Sequence, residues 1–244
     1  MQIYLAGSGW DKICWGNFDF YNFYRLESFY YLKDERHNIH KYKSFLLDSG
    51  AFTFMTSMKD KNINWDEYVL SYANFIKQYK IKNYFELDID ALVGIKEVER
   101  LRKLLEETSG VKCIPVWHKS RGLNYWEKMC KEYDYIAIGG LVTQEIKRTE
   151  YDVFYPLLKI AKDNNTKVHG LGFTNLKGLE KYKFDSVDST SWLSGNRFGA
   201  VYWFNGKTMQ KQNKQPGQRV KTIMTAINNF NEWIKFSQYA ENNL

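Results

Sequence analysis

Several short apolar runs of the sequence end in an acidic residue or a histidine. Asp48, Asp88 with Asp90, and Asp188 each follow such a run, and His118 follows another. A carboxylate can act as a nucleophile that holds a substrate covalently, and a second carboxyl group can donate and accept protons. For any single aspartate, a turn or a helix cap is the alternative role. Aspartates at the ends of three such runs favour carboxylate-based catalysis.

The apolar runs themselves predict β-strands that alternate with helices. Each run stops at a glycine or a polar residue, and the runs are Ile3–Ala6, Phe45–Leu47, Tyr84–Leu87, Cys113–Trp117, Tyr135–Ile138, Val168–Leu171, Phe184–Val187 and Ala200–Phe204. Between them, apolar residues recur at helical spacing, most clearly over Trp65–Tyr79 and Ile95–Leu105. A similar pattern predicts a C-terminal helix over residues 218–240. Residues 10–44 show no pattern that assigns them to an element.

Eight strands that alternate with helices predict an α/β protein, specifically a (β/α)8 TIM-type barrel that forms a single domain over residues 1–244. A doubly wound open sheet is the alternative. In such a barrel the active site lies at the carboxyl ends of the strands. The aspartates and His118 occupy those ends and are expected to converge on one mouth. Leu46 and Asp48 point the same way on a strand, so a barrel-facing Leu46 would place Asp48 over the mouth.

Composition excludes several classes of protein. Hydrophobic residues make up 44% and charged residues 26% of the 244 residues, which excludes disorder of the whole chain. Cys14, Cys113 and Cys130 are too dispersed for a disulfide scaffold or a cysteine-based zinc site. His37 and His40 have metal-like spacing but no third ligand nearby, so we expect no metal. A secretory signal and a membrane-spanning run are both absent from the sequence, which predicts a cytoplasmic protein without a membrane partner.

The positive charge of the chain is concentrated in one segment. The net charge is +7, and no Asp or Glu occurs from Ser189 to Asn231. The cationic residues of this basic segment, residues 189–221, are Arg197, Lys207, Lys211, Lys214, Arg219 and Lys221. Aromatic residues lie between them, which favours a polyanionic partner such as nucleic acid. The alternative is a solvated loop and helix face.

Four motifs in order resemble the tRNA-guanine transglycosylase family. They are Leu47-Asp48-Ser49-Gly50-Ala51-Phe52, Ile138-Gly139-Gly140-Leu141, His169-Gly170-Leu171-Gly172 and Phe184-Asp185-Ser186-Val187-Asp188-Ser189. The resemblance extends over residues 45–192. The form of Ser186–Trp192 is closer to the phage and bacterial branch that inserts 7-deazaguanine bases into DNA.

The resemblance implies exchange of guanine in nucleic acid for a free 7-deazaguanine-type base, without a cofactor. It assigns Asp188 as the nucleophile that holds the sugar and Asp48 as the acid/base. The chemistry fits, because the exchange must break a glycosidic bond and remake it at the same carbon. Contacts to the base would come from Asp88, Asp90, His118, Gly139, Gly140 and Leu141. Of these, Asp88 or Asp90 would accept hydrogen bonds from the base, and His118 would donate to a purine oxygen.

The sequence also departs from the family pattern. The cysteine cluster of the bacterial tRNA enzymes' zinc subdomain is absent, and Thr190-Ser191-Trp192 replaces their Pro-Thr-Arg. Trp117-His118 replaces a glutamine-containing turn. These departures favour DNA over tRNA as the substrate, in the cytoplasm of a bacterial or phage-infected cell. Action on tRNA, a hydrolytic N-glycosidase and a non-catalytic nucleic-acid-binding barrel remain alternatives, and the sequence does not indicate the oligomeric state.

Overall fold

The computed structural model describes residues 1–7, 22–32, 36–57, 62–173, 175–215, 217, 219 and 221–244. Eight parallel strands form its main sheet, in the order β4-β3-β2-β1-β8-β7-β6-β5. They are β1 (Gln2–Ala6), β2 (Tyr24–Ser28), β3 (Ser44–Asp48), β4 (Asn83–Tyr84), β5 (Val116–Trp117), β6 (Tyr135–Ile138), β7 (Lys167–Gly170) and β8 (Ser186–Ser189). A parallel bridge between Phe85 and Ile114 joins the two ends of the sheet. The predicted barrel-like (β/α)8 fold is therefore confirmed.

One predicted barrel strand is wrong, and another was missed. Ala200–Phe204 (β9) pairs antiparallel with Met209–Asn213 (β10) in a separate two-stranded sheet. The place assigned to it in the barrel is filled by β2, which pairs with β1 and β3. The sequence of β2 hides the strand, because Arg25 and Glu27 interrupt its apolar residues. Both charged side chains are buried and form an ion pair, which allows them to lie inside the protein.

Helices cover the outside of the sheet. The α-helices are α1 (Ala51–Ser57), α2 (Trp65–Gln78), α3 (Asp90–Val93), α4 (Ile95–Ser109), α5 (Gly122–Glu132), α6 (Phe154–Asp163), α7 (Leu176–Lys181), α8 (Ser194–Phe198) and α9 (Thr222–Asn243). Asn64 caps α2, since its side chain accepts a hydrogen bond from the Glu67 N–H at 3.2 Å. The C-terminal helix begins at Thr222, later than predicted, because Lys221 has an extended backbone. No helix in the described part of the chain is both long and apolar enough to cross a bilayer.

Side chains fill the interior of the barrel below the mouth. Its buried cluster contains Tyr4, Tyr24, Leu46, Phe85 and Val116, among others. Leu46 is fully buried there, so the next side chain on the same face of β3 rises above the packed layer. That side chain is Asp48, as the sequence predicted.

The C-terminal helix fastens the β9–β10 hairpin to the barrel wall. Asn229 of α9 accepts a hydrogen bond from the Tyr202 N–H and donates one to the Ala200 carbonyl, both at 2.9 Å. At the other end of α9, the Ala240 carbonyl accepts a hydrogen bond from the Met1 amino group at 3.0 Å. Helix α9 therefore runs along β1 from the mouth toward the amino ends of the strands.

Candidate active site at the barrel mouth

A cavity of about 1130 Å³ lies at the carboxyl ends of the barrel strands. Of the residues singled out in the sequence, Asp48, Asp88, His118, Gly140, Leu141 and Asp188 line it. Gly139 lies behind the ring of His118, and Asp90 faces a neighbouring cavity of about 900 Å³. Three of the four aspartates thus meet at the mouth, although β3, β4 and β8 that lead to them are far apart in sequence.

Asp48 is in an environment that favours its neutral form. It ends β3, and its Oδ2 accepts a hydrogen bond from the Gly50 N–H at 3.1 Å. Enclosure by the cavity wall, together with the negative charge of Asp88, raises the pKa of Asp48 to about 7. A carboxyl group of this kind can both donate and accept a proton near neutral pH.

Asp188 is instead held by two N–H donors. Its Oδ1 accepts hydrogen bonds from the Gly172 N–H and from His169 Nε2, the latter at 3.1 Å. His169 is fully buried, and its Nδ1 lies 2.6 Å from Ser186 Oγ, which in turn contacts the hydroxyl of Tyr135. Because a carboxylate only accepts, Nε2 carries the proton, and in the neutral ring Nδ1 accepts from Ser186. The sequence placed His169 in a predicted strand and in one of the four motifs but assigned it no catalytic role, and its contact with Asp188 depends on the pairing of β7 with β8.

His118 bridges two acidic residues at the mouth. Its Nε2 lies 2.9 Å from Asp88 Oδ2, and its Nδ1 lies 3.1 Å from Glu145 Oε2. Both ring nitrogens are therefore occupied, so the expected hydrogen bond from His118 to a purine oxygen would require the release of one of them. Glu145 was missed in the sequence because it lies in a loop after β6 with no recognisable motif around it.

Asp88 and Asp90, which the sequence left as alternatives, have different surroundings. Asp88 is 5% exposed and belongs to the mouth cavity. Asp90 accepts hydrogen bonds from Arg121 Nε and Nη2 at 3.0 and 2.6 Å, and Arg121 also binds the buried Glu86. The geometry therefore favours Asp88 as the residue available to a ligand in the mouth.

The basic segment begins at the mouth and then leaves it. Thr190, Ser191 and Leu193 line the cavity, and the chain continues through α8 into the β9–β10 hairpin. The exposed cationic residues along it are Lys207, Lys211, Lys214, Arg219 and Lys221, whereas the side chain of Arg197 lies outside what the structure describes. Among its aromatic residues, Phe198 is 69% and Trp203 is 42% exposed.

Neither a search for metal ligands nor comparison with known proteins assigns a further role to these residues. Among the residues that the structure describes, no group of three or more His, Cys, Asp or Glu side chains could hold a metal ion. Cys113 and Cys130 are buried free thiols, and Cys14 lies outside the described residues. No family model matches the chain, and no curated protein matches it either.

Proposed function

We propose that the protein is a pentosyltransferase that exchanges guanine in nucleic acid for a 7-deazaguanine base. The observation that carries this proposal is the contrast between two carboxyl groups in one cavity. Asp48 has a pKa of about 7, and Asp188 is bound by two N–H donors. Glycosidic exchange needs such a pair, because one carboxylate must attack the sugar and another group must move the proton.

Each half of the reaction uses the same two residues. The free oxygen of Asp188 attacks the sugar carbon C1′, the bond from C1′ to the guanine nitrogen breaks, and the departing base takes a proton from Asp48. The sugar is then an ester of Asp188. The incoming base gives its N9 proton to Asp48, and its nitrogen attacks C1′ and expels the Asp188 carboxylate. Asp48 is again protonated and Asp188 is again ionised at the end.

The base would be recognised beside these two residues. The resemblance to the transglycosylases implies that Asp88 accepts hydrogen bonds from N1–H and the 2-amino group of the base. Its place in the same cavity as Asp48 and Asp188 supports this assignment. Gly140 and Leu141, which also line the cavity, would contact the base through their backbone.

We infer that the polymer is DNA, in the cytoplasm of a bacterial or phage-infected cell. The support is the form of Ser186–Trp192 and the basic segment that begins at the cavity. A carboxylate can reach the sugar carbon only in a single-stranded or flipped-out nucleotide.

The decisive experiment is mass spectrometry of nucleosides from DNA and from tRNA incubated with the protein and a 7-deazaguanine base. We expect the new base in DNA and free guanine in equal amount. Abasic sites without the new base would indicate a hydrolytic N-glycosidase. Incorporation into tRNA alone would identify tRNA and not DNA as the substrate. Unchanged nucleosides in both polymers would indicate a non-catalytic nucleic-acid-binding protein.

Variants identify the nucleophile. Wild-type protein should form a covalent complex with DNA that survives a denaturing gel, and Asp188→Asn should abolish both this complex and exchange, because an amide cannot form the ester. Asp48→Asn should slow exchange by roughly 10²–10⁴-fold through lost proton transfer. The control is Asp185→Asn. The Asp185 carboxylate lies in the same motif but accepts a hydrogen bond from the Val168 N–H at 2.8 Å. An inactive Asp185→Asn beside an active Asp188→Asn would overturn the assignment.

A further inference from the structure

The ring of His118 is held from both sides by acidic side chains. Nε2 lies 2.9 Å from Asp88 Oδ2, and Nδ1 lies 3.1 Å from Glu145 Oε2. Only 12% of the His118 side chain and 7% of the Asp88 side chain are exposed, against 29% for Glu145. The second Glu145 oxygen accepts the Ser120 N–H at 2.8 Å, so the loop that follows β5 fixes this carboxylate.

The two glycines after β6 make room for this arrangement. A Cβ atom at Gly139 would lie 2.8 Å from Cε1 of His118. A Cβ atom at Gly140 would lie 2.8 Å from Oε2 of Glu145, and the Gly140 backbone has a φ of +77°. A larger residue at either position would push the ring or the carboxylate away. The Gly139-Gly140 pair is thus explained by the side chains that pack on it, whatever it contributes to base binding.

The charges around His118 favour its protonated form. Burial opposes the charge, but hydrogen bonds to Asp88 and Glu145 raise the pKa of His118 to about 10, against the repulsion of Arg121. The reciprocal contact with His118 lowers the pKa of Glu145. The ring is therefore an imidazolium at neutral pH, with one N–H directed at each carboxylate. Asp90 also faces this region, but its hydrogen bonds go to Arg121.

We propose that Glu145 and His118 are positioning residues that fix Asp88 as a hydrogen-bond acceptor in the mouth, and that they thereby select bases with two adjacent N–H donors. Both nitrogens of an imidazolium carry a proton, so the Asp88 oxygen that faces Nε2 must accept its hydrogen bond. The N1–H and 2-amino edge of a guanine-type base matches such an acceptor. A base that lacks the 2-amino group loses one bond, and a base with an acceptor at N1 is repelled. This selection rests on the proposed function. The clamp, by which we mean the hydrogen bonds that join Glu145, His118 and Asp88, does not rest on it.

The same clamp supports the division of work between the carboxyl groups. Asp48 and Asp88 line one cavity, and two carboxylates that share a site do not both ionise easily. His118 donates to Asp88 and not to Asp48, and the charge of Asp88 helps to raise the pKa of Asp48, so the arrangement favours the protonated form of Asp48. Glu145 thus acts on the acid/base group through two intervening side chains.

NMR of the imidazole groups tests the clamp without any assay of activity. The chain has 4 histidines, and His118→Gln identifies the signal of His118. We expect the His118 ring to stay protonated up to about pH 9, and Glu145→Gln to lower its midpoint by about 1–3 pH units. Gly140→Ala, which displaces the same carboxylate, should act in the same direction. The control is Glu150→Gln, since Glu150 binds Lys119 at 2.7 Å on the surface.

A wild-type His118 that titrates in the ordinary histidine range would overturn the clamp. An unchanged midpoint in both Glu145→Gln and Gly140→Ala would also overturn it.

Calorimetry with two free bases tests the selection. We expect the wild-type protein to bind 7-deazaguanine more tightly than 7-deazahypoxanthine, which lacks the 2-amino group, by roughly 10-fold or more. Glu145→Gln should narrow this ratio, and Glu150→Gln should keep it. If wild type and Glu145→Gln prefer 7-deazaguanine over 7-deazahypoxanthine by the same ratio of affinities, the proposed selection is overturned. If His118 titrates and the free bases bind as expected, but the protein exchanges no base in nucleic acid, only the proposed function is overturned.

Discussion

Asp48 and Asp188 differ in what surrounds their carboxyl groups. Asp188 Oδ1 receives hydrogen bonds from Gly172 and His169, whereas Asp48, which also accepts hydrogen bonds, is enclosed by the cavity wall and faces the charge of Asp88. Enclosure beside another carboxylate favours the neutral form of Asp48, whereas the two N–H donors hold Asp188 Oδ1 in a fixed position. One cavity therefore contains a carboxylate suited to attack and a carboxyl group suited to proton transfer.

The pKa of Asp48 has a consequence for stability. It rises from an ordinary 3.8 to about 7 on folding, so between these values the folded state keeps a proton that the unfolded state has lost. The free energy of unfolding therefore falls as the pH rises through this window. Asp48→Asn removes the effect, and we expect it to exceed the wild type in stability by roughly 1–3 kcal/mol at about pH 8 but not at about pH 4.

Urea unfolding of both proteins at the two pH values is the measurement. Asp163→Asn serves as the control, because Asp163 is a surface residue that pairs with Lys159 at 2.6 Å. If the free energies of unfolding of wild type and Asp48→Asn differ by the same amount at both pH values, the prediction is contradicted.

His169 should matter to the reaction through Asp188. His169→Phe removes one of the two donors to Asp188, and hydrogen bonds to charged groups contribute about 1.5–3 kcal/mol. We expect kcat for base exchange to fall by roughly 10–100-fold with little change in KM for the base. Tyr135→Phe removes only the far end of the same hydrogen-bond chain and should cost less. Equal losses in the two variants would contradict the expected larger effect of the donor that contacts Asp188 directly.

Part of the candidate site could be predicted from the sequence. Asp48, Asp88 and Asp188 follow apolar runs, so the barrel rule that sites lie at strand ends locates them. Glu145 and His169 could not be recognised in this way. Their significance depends on which side chain lies opposite them on another element, and neither spacing nor composition contains that information.

At the scale of elements, β2 and β9 show the limit of apolar patterns. The buried ion pair of Arg25 and Glu27 gives β2 the appearance of a polar loop. Strand β9 looks like a barrel strand because Tyr202 is buried against Trp233 of α9, and Phe204 is half-buried against Phe236 of the same helix. A pattern reports that one face is buried but does not report which partner buries it. The fold class was therefore predictable, and the identity of two strands was not.

The attachment of the hairpin to α9 should depend on Asn229. Its side chain satisfies the Tyr202 N–H and the Ala200 carbonyl, and it is fully buried. Asn229→Ala leaves these backbone groups unpaired and should lower the free energy of unfolding by roughly 1–3 kcal/mol. Hydrogen exchange at the Tyr202 amide should accelerate.

Asn242→Ala is the matched control on the same helix, because the exposed Asn242 side chain donates to the Gln238 carbonyl within that helix. If Asn229→Ala and Asn242→Ala unfold at the same urea concentration, the hairpin is held by apolar packing and not by Asn229.

At the scale of the whole molecule, the hairpin carries positive charge from the mouth down the barrel wall. The Lys214 N–H donates to the Gly199 carbonyl near α8, which follows the cavity-lining residues. In the other direction, Phe204 packs on Tyr239, close to the end of α9 that binds Met1. Lys207 lies in the turn at this lower end, and a five-residue strand spans roughly 17 Å. The basic segment is thus a track along the barrel, with Trp203 exposed on it.

Such a track predicts how the bound polymer lies. Phosphates would contact Lys214 nearest the mouth and Lys207 farthest from it, and an exposed Trp203 offers a surface for a base to stack on. We expect simultaneous reversal of Lys207, Lys211 and Lys214 to Glu to weaken binding of single-stranded DNA. Each lost phosphate contact should also reduce the slope of log affinity against log salt by about 0.7.

The control for this reversal has the same charge change on another side of the barrel, beside β4, which β3 and β2 separate from β1 in the sheet. Lys77, Lys80 and Lys82 are exposed near the end of α2, just before β4 begins. Their reversal to Glu alters the net charge equally but leaves the track intact, so its salt slope should match the wild type. If the two triple variants weaken binding alike and keep the same slope, the hairpin is a solvated surface and the polymer enters the mouth along another face.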